Sequence, residues 1–130
     1  MASVGRNLGL LSLGAAILLL CAHTATSKIP DHFIPLRSQN LEVKVCWIGY
    51  LLSKRFILNR YLRRPIALFA AVKPLTNGDL RYYAEFVGDS MHGQVIVGLF
   101  YDIPASNTRL VFQNAIRDSV RLWSFDLVEP

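Results

Sequence analysis

Apolar and polar positions change their spacing along this chain, and each change predicts a different element. Leu8 to Ala22, LGLLSLGAAILLLCA, is an unbroken weakly polar to apolar run without a charge. SKIPDHFIPLRSQN (Ser27 to Asn40) carries two prolines and no period, which reads as a linker whose Asn40 can cap the next element. From about Val43 to Leu62, apolar Val45, Ile48, Leu51, Leu52, Phe56 and Leu62 recur at spacings near three and four, with Lys44, Ser53, Lys54, Asn59 and Arg60 mostly elsewhere. This spacing predicts a helix, which Arg63-Arg64-Pro65 ends because the residue before a proline is pushed out of the helical region.

Beyond the proline the period falls to two. Ile66 to Lys73 predicts a strand, and Thr76-Asn77-Gly78-Asp79 a hairpin turn whose Asn-Gly pair supplies the positive φ angles of a tight turn. LRYYAEFV alternates, with Leu80, Tyr82, Ala84 and Phe86 on one face and Arg81, Tyr83, Glu85 and Val87 on the other, as in a half-buried strand. Gln94 to Tyr101 is a further strand, Asp102 to Asn107 a turn and Arg109 to Gln113 a short strand. Ser119 to Val128 closes the series with Trp123, Phe125 and Leu127 on one face. The fold class expected is α+β: an N-terminal hydrophobic segment, then a helix packed on a mainly antiparallel sheet of about four strands. Residues 1–25 form an anchor or signal segment, 26–40 a linker and 41–130 a single domain.

Length and composition agree with one small domain: 130 residues, 52% apolar, are too few for two cores and too apolar for disorder. Leu8 to Ala22 has the length of a secretory h-region, with small residues at Ala25-Thr26-Ser27 before Lys28. Counted from Val4 or Gly5 to Ala25, it also reaches the length of a membrane span. Both readings stay open at this point. Cys21 lies within the run and Cys46 is the only other cysteine, so cleavage would leave one thiol and no disulfide, which weighs against secretion. Between Val45 and Trp47, Cys46 reads as a small buried hydrophobe.

The polar segment Gly88-Asp89-Ser90-Met91-His92-Gly93 is the one place where side chains suited to chemistry gather. A phosphate-binding loop would need Lys-Ser/Thr and a helix after the second glycine, but Gln94 and a strand follow. Asp89, Ser90 and His92 name the members of a hydrolase triad, yet such triads are assembled from distant segments so that base and nucleophile can align. The segment therefore reads as a hairpin loop. His23, His32 and His92 lie far apart and no Cys or carboxylate stands at ligand spacing, so neither a metal nor another cofactor is expected.

Charge is more informative. The formal net charge is +5, and from Val43 to Gly78 there are seven basic residues and no acid. Lys54, Arg55, Arg60, Arg63 and Arg64 are the candidate contacts for an anionic partner, against the plainer reading of a solvated helix face. No nucleic-acid motif accompanies them, and Tyr50, Phe56 and Tyr61 read as packing, so an acidic protein surface or anionic lipid fits better. No small-molecule substrate is expected.

The order of a hydrophobic segment, a linker, a helix ending in LRRPIALF, then YYAEFVGDSMHGQVIVGLFYD and RLWSFDLV resembles the cytochrome c oxidase assembly factor 1 family. Its soluble domain is akin to that of a presequence-translocase subunit. That family's Pro-Ile step after the helix, glycine pair and strand-opening Trp look like Pro65-Ile66, Gly88 with Gly93, and Trp123 here. Where the family has Leu-Gly before the Pro-Ile step, this chain has Arg63-Arg64. The resemblance implies a non-enzymatic assembly factor, single-pass in the mitochondrial inner membrane through residues 8–25, that binds respiratory-chain subunits or other assembly factors. The alternative is a secreted α+β binding or inhibitory module, cystatin-like in element order, although KPLTNGD stands where that family has Gln-x-Val-x-Gly.

Overall fold

The computed structural model describes residues 30–57 and 62–128. Ser38, not Asn40, opens the helix: its extended backbone lets Oγ accept the Leu41 N–H at 3.3 Å while its carbonyl accepts the Glu42 N–H at 2.9 Å. Helix α1 (Gln39–Phe56) ends earlier than the apolar spacing predicts, with Ile57 outside helical geometry. Leu62 still belongs to the core, because Tyr50 Oη donates to its carbonyl at 2.6 Å and draws it back under the helix.

Five strands follow one another across a single antiparallel sheet in sequence order: β1 (Ile34–Pro35), β2 (Arg63–Pro74), β3 (Leu80–Ser90), β4 (Gly93–Ile103) and β5 (Arg121–Leu127). The helix-on-sheet α+β class therefore holds, with about five strands where four were expected. The additional strand, β1, comes from the stretch read as linker and pairs Ile34 with Val72 and Pro35 with Ala71. Arg109 to Gln113 is not a strand: it runs irregularly into a 3₁₀ turn at Phe112–Asn114, dropping Leu110 and Phe112 separately into the core. Phe33–Pro130 forms one compact unit.

Both hairpins differ in detail from the expectation. At the β2–β3 turn only Gly78 takes a positive φ, +93°, and its N–H donates to the Leu75 carbonyl; the pattern is a type I turn followed by a left-handed glycine. Asn77 instead works through its side chain, accepting the Asp79 N–H at 2.9 Å. The Gly88–Gly93 segment is mostly strand, since Gly88 pairs with Val95 and Asp89 with Gln94, leaving Met91 and His92 as the turn. Gly93 there has φ +117°.

The helix covers one sheet face. Tyr82, Ala84, Phe86, Val95, Val97, Leu99, Tyr101 and Ile103 meet Val45, Ile48, Tyr50 and Leu52 in the main core. Gly49 permits the approach, for a β-carbon on it would stand 2.9 Å from that of Ala84. The far face of the sheet was expected to be exposed on β3, yet Tyr83 and Glu85 are buried. Phe33, Phe69 and Phe100 close over Tyr83, and Tyr83 Oη donates to Glu85 Oε2 at 3.0 Å. A sheet's central strand can be covered on both sides by aromatic side chains from its neighbours without a second helix layer.

Two irregularities decide which way side chains point. In β2 a register shift between Ala67 and Phe69 lies beside the carbonyls of Phe69 and Glu85, both of which the buried Cys46 thiol contacts at 3.3 Å. In β5 a shift opposite Gly98 and Leu99 makes Trp123 the extra residue. Trp123 therefore does not share a face with Phe125 and Leu127 as the alternation predicts. A bulge turns it to the far face, edge-on to Phe100 with ring centroids 5.3 Å apart, while Phe125 stays against the main core.

The expected single-pass placement in the mitochondrial inner membrane is corrected. Among the described residues no helix is long and apolar enough to cross a membrane, and α1 is an amphipathic helix committed to the sheet. The segment 8–25, read as anchor or signal, lies outside the described residues.

Close packing and burial each have a measurable effect on stability. A β-carbon at Gly98 would fall 2.6 Å from Tyr83 Oη and 2.8 Å from Ser124 Oγ. Gly98→Ala should therefore destabilise the domain by roughly 1–3 kcal/mol, read as a lowered thermal midpoint, and Tyr83→Phe should restore part of the loss in the double variant. Burial also raises the phenols of Tyr83 and Tyr101 above their usual range and pushes the Cys46 thiol up to about 12. Raised folded-state values mean that their stabilising contribution is complete below the unfolded values, about 10 for tyrosine and 8.5 for cysteine, and is lost as pH rises towards the folded ones. Spectroscopic titration should show these two tyrosines ionising together with loss of near-ultraviolet circular dichroism, and Cys46 should resist thiol reagents until then.

Candidate functional site

Along one edge of α1, Val43, Trp47, Tyr50 and Lys54 follow at helical spacing and line up above the start of β2. Trp47 stacks tilted on Tyr50 with centroids 5.4 Å apart, and Lys54 Nζ lies 5.3 Å over the same ring. Tyr50 in turn reaches the Leu62 carbonyl, so the row of side chains is tied to the chain just before Arg63. Between helix and strand lies a small apolar cleft of about 70 Å³ lined by Val43, Cys46, Trp47, Pro65, Ala67 and Phe86.

The cleft is accessible because both walls are incomplete. Trp47 is 51% exposed and Val43 50%, unusual for large apolar side chains on a helix that otherwise packs well. On the strand side β1 meets β2 only at Ala71 and Val72, with the Leu36 N–H on the Ala70 carbonyl. From Arg63 to Phe69 the outer edge of β2 has no strand beside it among the described residues. Pro65 and the two register shifts interrupt this edge, so it presents sockets for side chains more than a regular ladder of amides. Ile66 and Leu68 are also exposed along this part of β2, Ile66 opposite Val87 on the far face of the sheet.

The basic residues singled out from sequence frame this cleft in part. Lys54 and Arg55 occupy the exposed last turn of α1, where cations also suit the helix C-terminus. Arg63 and Arg64 are exposed at the head of β2. Arg64 is partly neutralised, its Nε and Nη2 both 2.9 Å from Asp89 Oδ2, and it holds φ +52°, a left-handed backbone that favours glycine. Arg55 lies 5.8 Å from the Phe56 ring centroid and Arg117 5.0 Å, so a cation that sequence proximity does not reveal joins this end of the helix. Arg60 lies outside the described residues.

Of the positions matched by resemblance, Pro65 lines the cleft, while Ile66 is exposed on the far face of the sheet. Gly88 is in mid-strand, with the Arg63 carbonyl 3.5 Å from where a β-carbon would be, and Gly93 closes the hairpin. Trp123 is remote, on the far face. A second concavity, about 300 Å³, opens near the hairpin, lined by Arg64, Ile66, Val87, Gly88, Asp89 and Gln94.

The polar trio of the hairpin has no catalytic geometry. Ser90 Oγ donates to the Gly93 carbonyl at 2.7 Å and accepts the His92 backbone N–H at 3.1 Å, while Asp89 faces Arg64. The Ser90 bonds are those of a tight turn, and the Arg64–Asp89 pair ties β3 to β2. The other carboxylates in good geometry are structural: Asp102 takes a two-pronged contact from Arg81 at 2.8 and 3.0 Å, which raises the guanidinium's already high pKa. Its backbone N–H is held by Ser119 Oγ at 2.8 Å, pinning the long β4–β5 connection. Among the described residues no group of three or more His, Cys, Asp or Glu converges as a metal site.

Sequence reasoning missed Val43 and Trp47. Their spacing with Tyr50 and Lys54 was visible as a second helical row, but nothing in the pattern says that the strand opposite is left uncovered. Compared with protein-family models, curated proteins and solved structures, the chain finds no match.

Proposed function

We propose that this chain is a non-enzymatic protein-binding domain that receives an apolar, acid-flanked segment of a partner protein in the cleft between α1 and the outer edge of β2. One observation carries the reading: half-exposed Trp47 and Val43 flank an open apolar cleft beside an uncovered strand edge, with Lys54 and Arg63 nearby. An aromatic anchor in a partly desolvated socket, rimmed by charge of one sign, has the composition of an interface hot spot. The rim cations would steer an acidic segment and fix its orientation more than they would add affinity.

The resemblance to an assembly-factor family supports the same reading, since such proteins act by holding other chains. The polar groups best placed for chemistry are, by contrast, occupied in turns and in the core.

Peptide-display selection on the folded domain should enrich segments with a large apolar residue flanked by Asp and Glu. Trp47→Ala, at an exposed site that the fold tolerates, should weaken those peptides about tenfold or more, and binding should fall as salt rises. Lys54→Glu combined with Arg63→Glu should shift the selection towards basic flanks. Enriched peptides without acidic residues, or binding indifferent to Trp47→Ala, would overturn the proposal.

A further inference from the structure

The bulge in β5 has a second effect, on the outer edge of the sheet. Strand β5 ends the strand order, so among the described residues its outer side has no neighbour. Leu122, Trp123 and Leu127 are 41%, 49% and 56% exposed along it, apolar side chains on both faces of a strand edge. The Val128 N–H donates inward to the Gln94 carbonyl, and the alternation of an antiparallel ladder then turns the amides of Leu127 and Phe125 outward.

We infer that this edge pairs with the same edge of a second copy, antiparallel and about a two-fold axis perpendicular to the sheet. Such an axis keeps each side chain on its own face, so every residue must oppose one from the same face. Arg121 lies on the far face, its guanidinium 5.7 Å over the Phe100 ring, and Asp126, opposite Ile96, shares that face. Leu122 opposite Leu99 and Phe125 opposite Val97 point to the helix side. Trp123 and Ser124, either side of the shift, both point to the far face, Trp123 onto Phe100 and Ser124 beside the Tyr83 hydroxyl over Gly98.

A single register satisfies all of these at once: Arg121 opposite Asp126, Leu122 opposite Phe125 and Trp123 opposite Ser124, each pair occurring twice. Centring the axis on Ser124 instead would set Leu122, on the helix side, against Asp126, on the far side. An unbulged strand could not use the favoured register, because its facing residues would differ in parity. The bulge makes β5 self-complementary, and the register it selects places opposite charges across from one another at both ends.

The test is a charge-swap series on the full chain. Sedimentation equilibrium should show the wild type dimerising. Arg121→Asp and Asp126→Arg should each weaken the dimer by roughly tenfold or more by facing like charges, and the double swap should restore it to within about threefold. In a Cys21→Ser background, Arg121→Cys and Asp126→Cys molecules should form a disulfide when mixed, and neither should alone, because directly opposed residues in a non-hydrogen-bonded pair are within disulfide reach. A wild-type monomer throughout the concentration range, or charge reversals whose effects simply add in the double swap, would overturn the inference. Circular dichroism of each variant separates loss of pairing from loss of fold.

Discussion

The helix can lie close to the sheet only because Gly49 meets Ala84 at a distance that allows no β-carbon on the helix. Everything on the helix side depends on that approach. It brings the Val45 carbonyl to the Tyr101 hydroxyl at 2.9 Å and the Cys46 thiol to two sheet carbonyls. It also sets Tyr50 edge-on to Phe86 and lets its hydroxyl hold Leu62. A helix held a methyl group further out would leave the buried Tyr101 hydroxyl without its acceptor, at a cost of about 1–3 kcal/mol. The same approach makes the cleft shallow and leaves Trp47 protruding beside β2.

Register irregularities are the second constraint. The shift at Leu68 interrupts the edge of β2 beside the cleft, and the shift at Trp123 turns an indole from the core side to the far face. Both occur in strands at or near the sheet margin, where one partner can slip without disturbing the central β3–β4 ladder, which is unbroken from Leu80–Ile103 to Ser90–Gly93. The centre of this sheet therefore supplies rigidity and its margins supply the surfaces.

Ser90 and Asp89 are used in the hairpin, Glu85 with Tyr83 inside the far-face core, and Asp102 with Arg81 under the β4–β5 connection. Among the described residues, exposed apolar side chains lie beside cations at the α1–β2 cleft and beside Arg121 and Asp126 on β5. The two are distinct, Trp47 standing beside the first and Arg121 and Asp126 on the second.

The sequence by itself determined the helix and the alternating strands, because their periods record which residues must leave water: Val45, Ile48 and Leu52 on α1, and Tyr82, Ala84 and Phe86 on β3, all went where the spacing put them. It also determined that Cys46 is a buried thiol and that the chain reverses between Gly88 and Gly93, although only Met91 and His92 form the turn. Tertiary structure alone decided the rest. Burial of Tyr83 and Glu85 depended on Phe33, just before β1, and Phe69 of β2 arriving from elsewhere in the chain, and strand β1 on a short pairing that two residues cannot announce. The face of Trp123 depended on a bulge that a period of two cannot encode, and the openness of the cleft on β1 stopping short at Ala71. Periodicity reports what a segment buries; which neighbour covers it, and where that cover ends, is a property of contacts between distant residues.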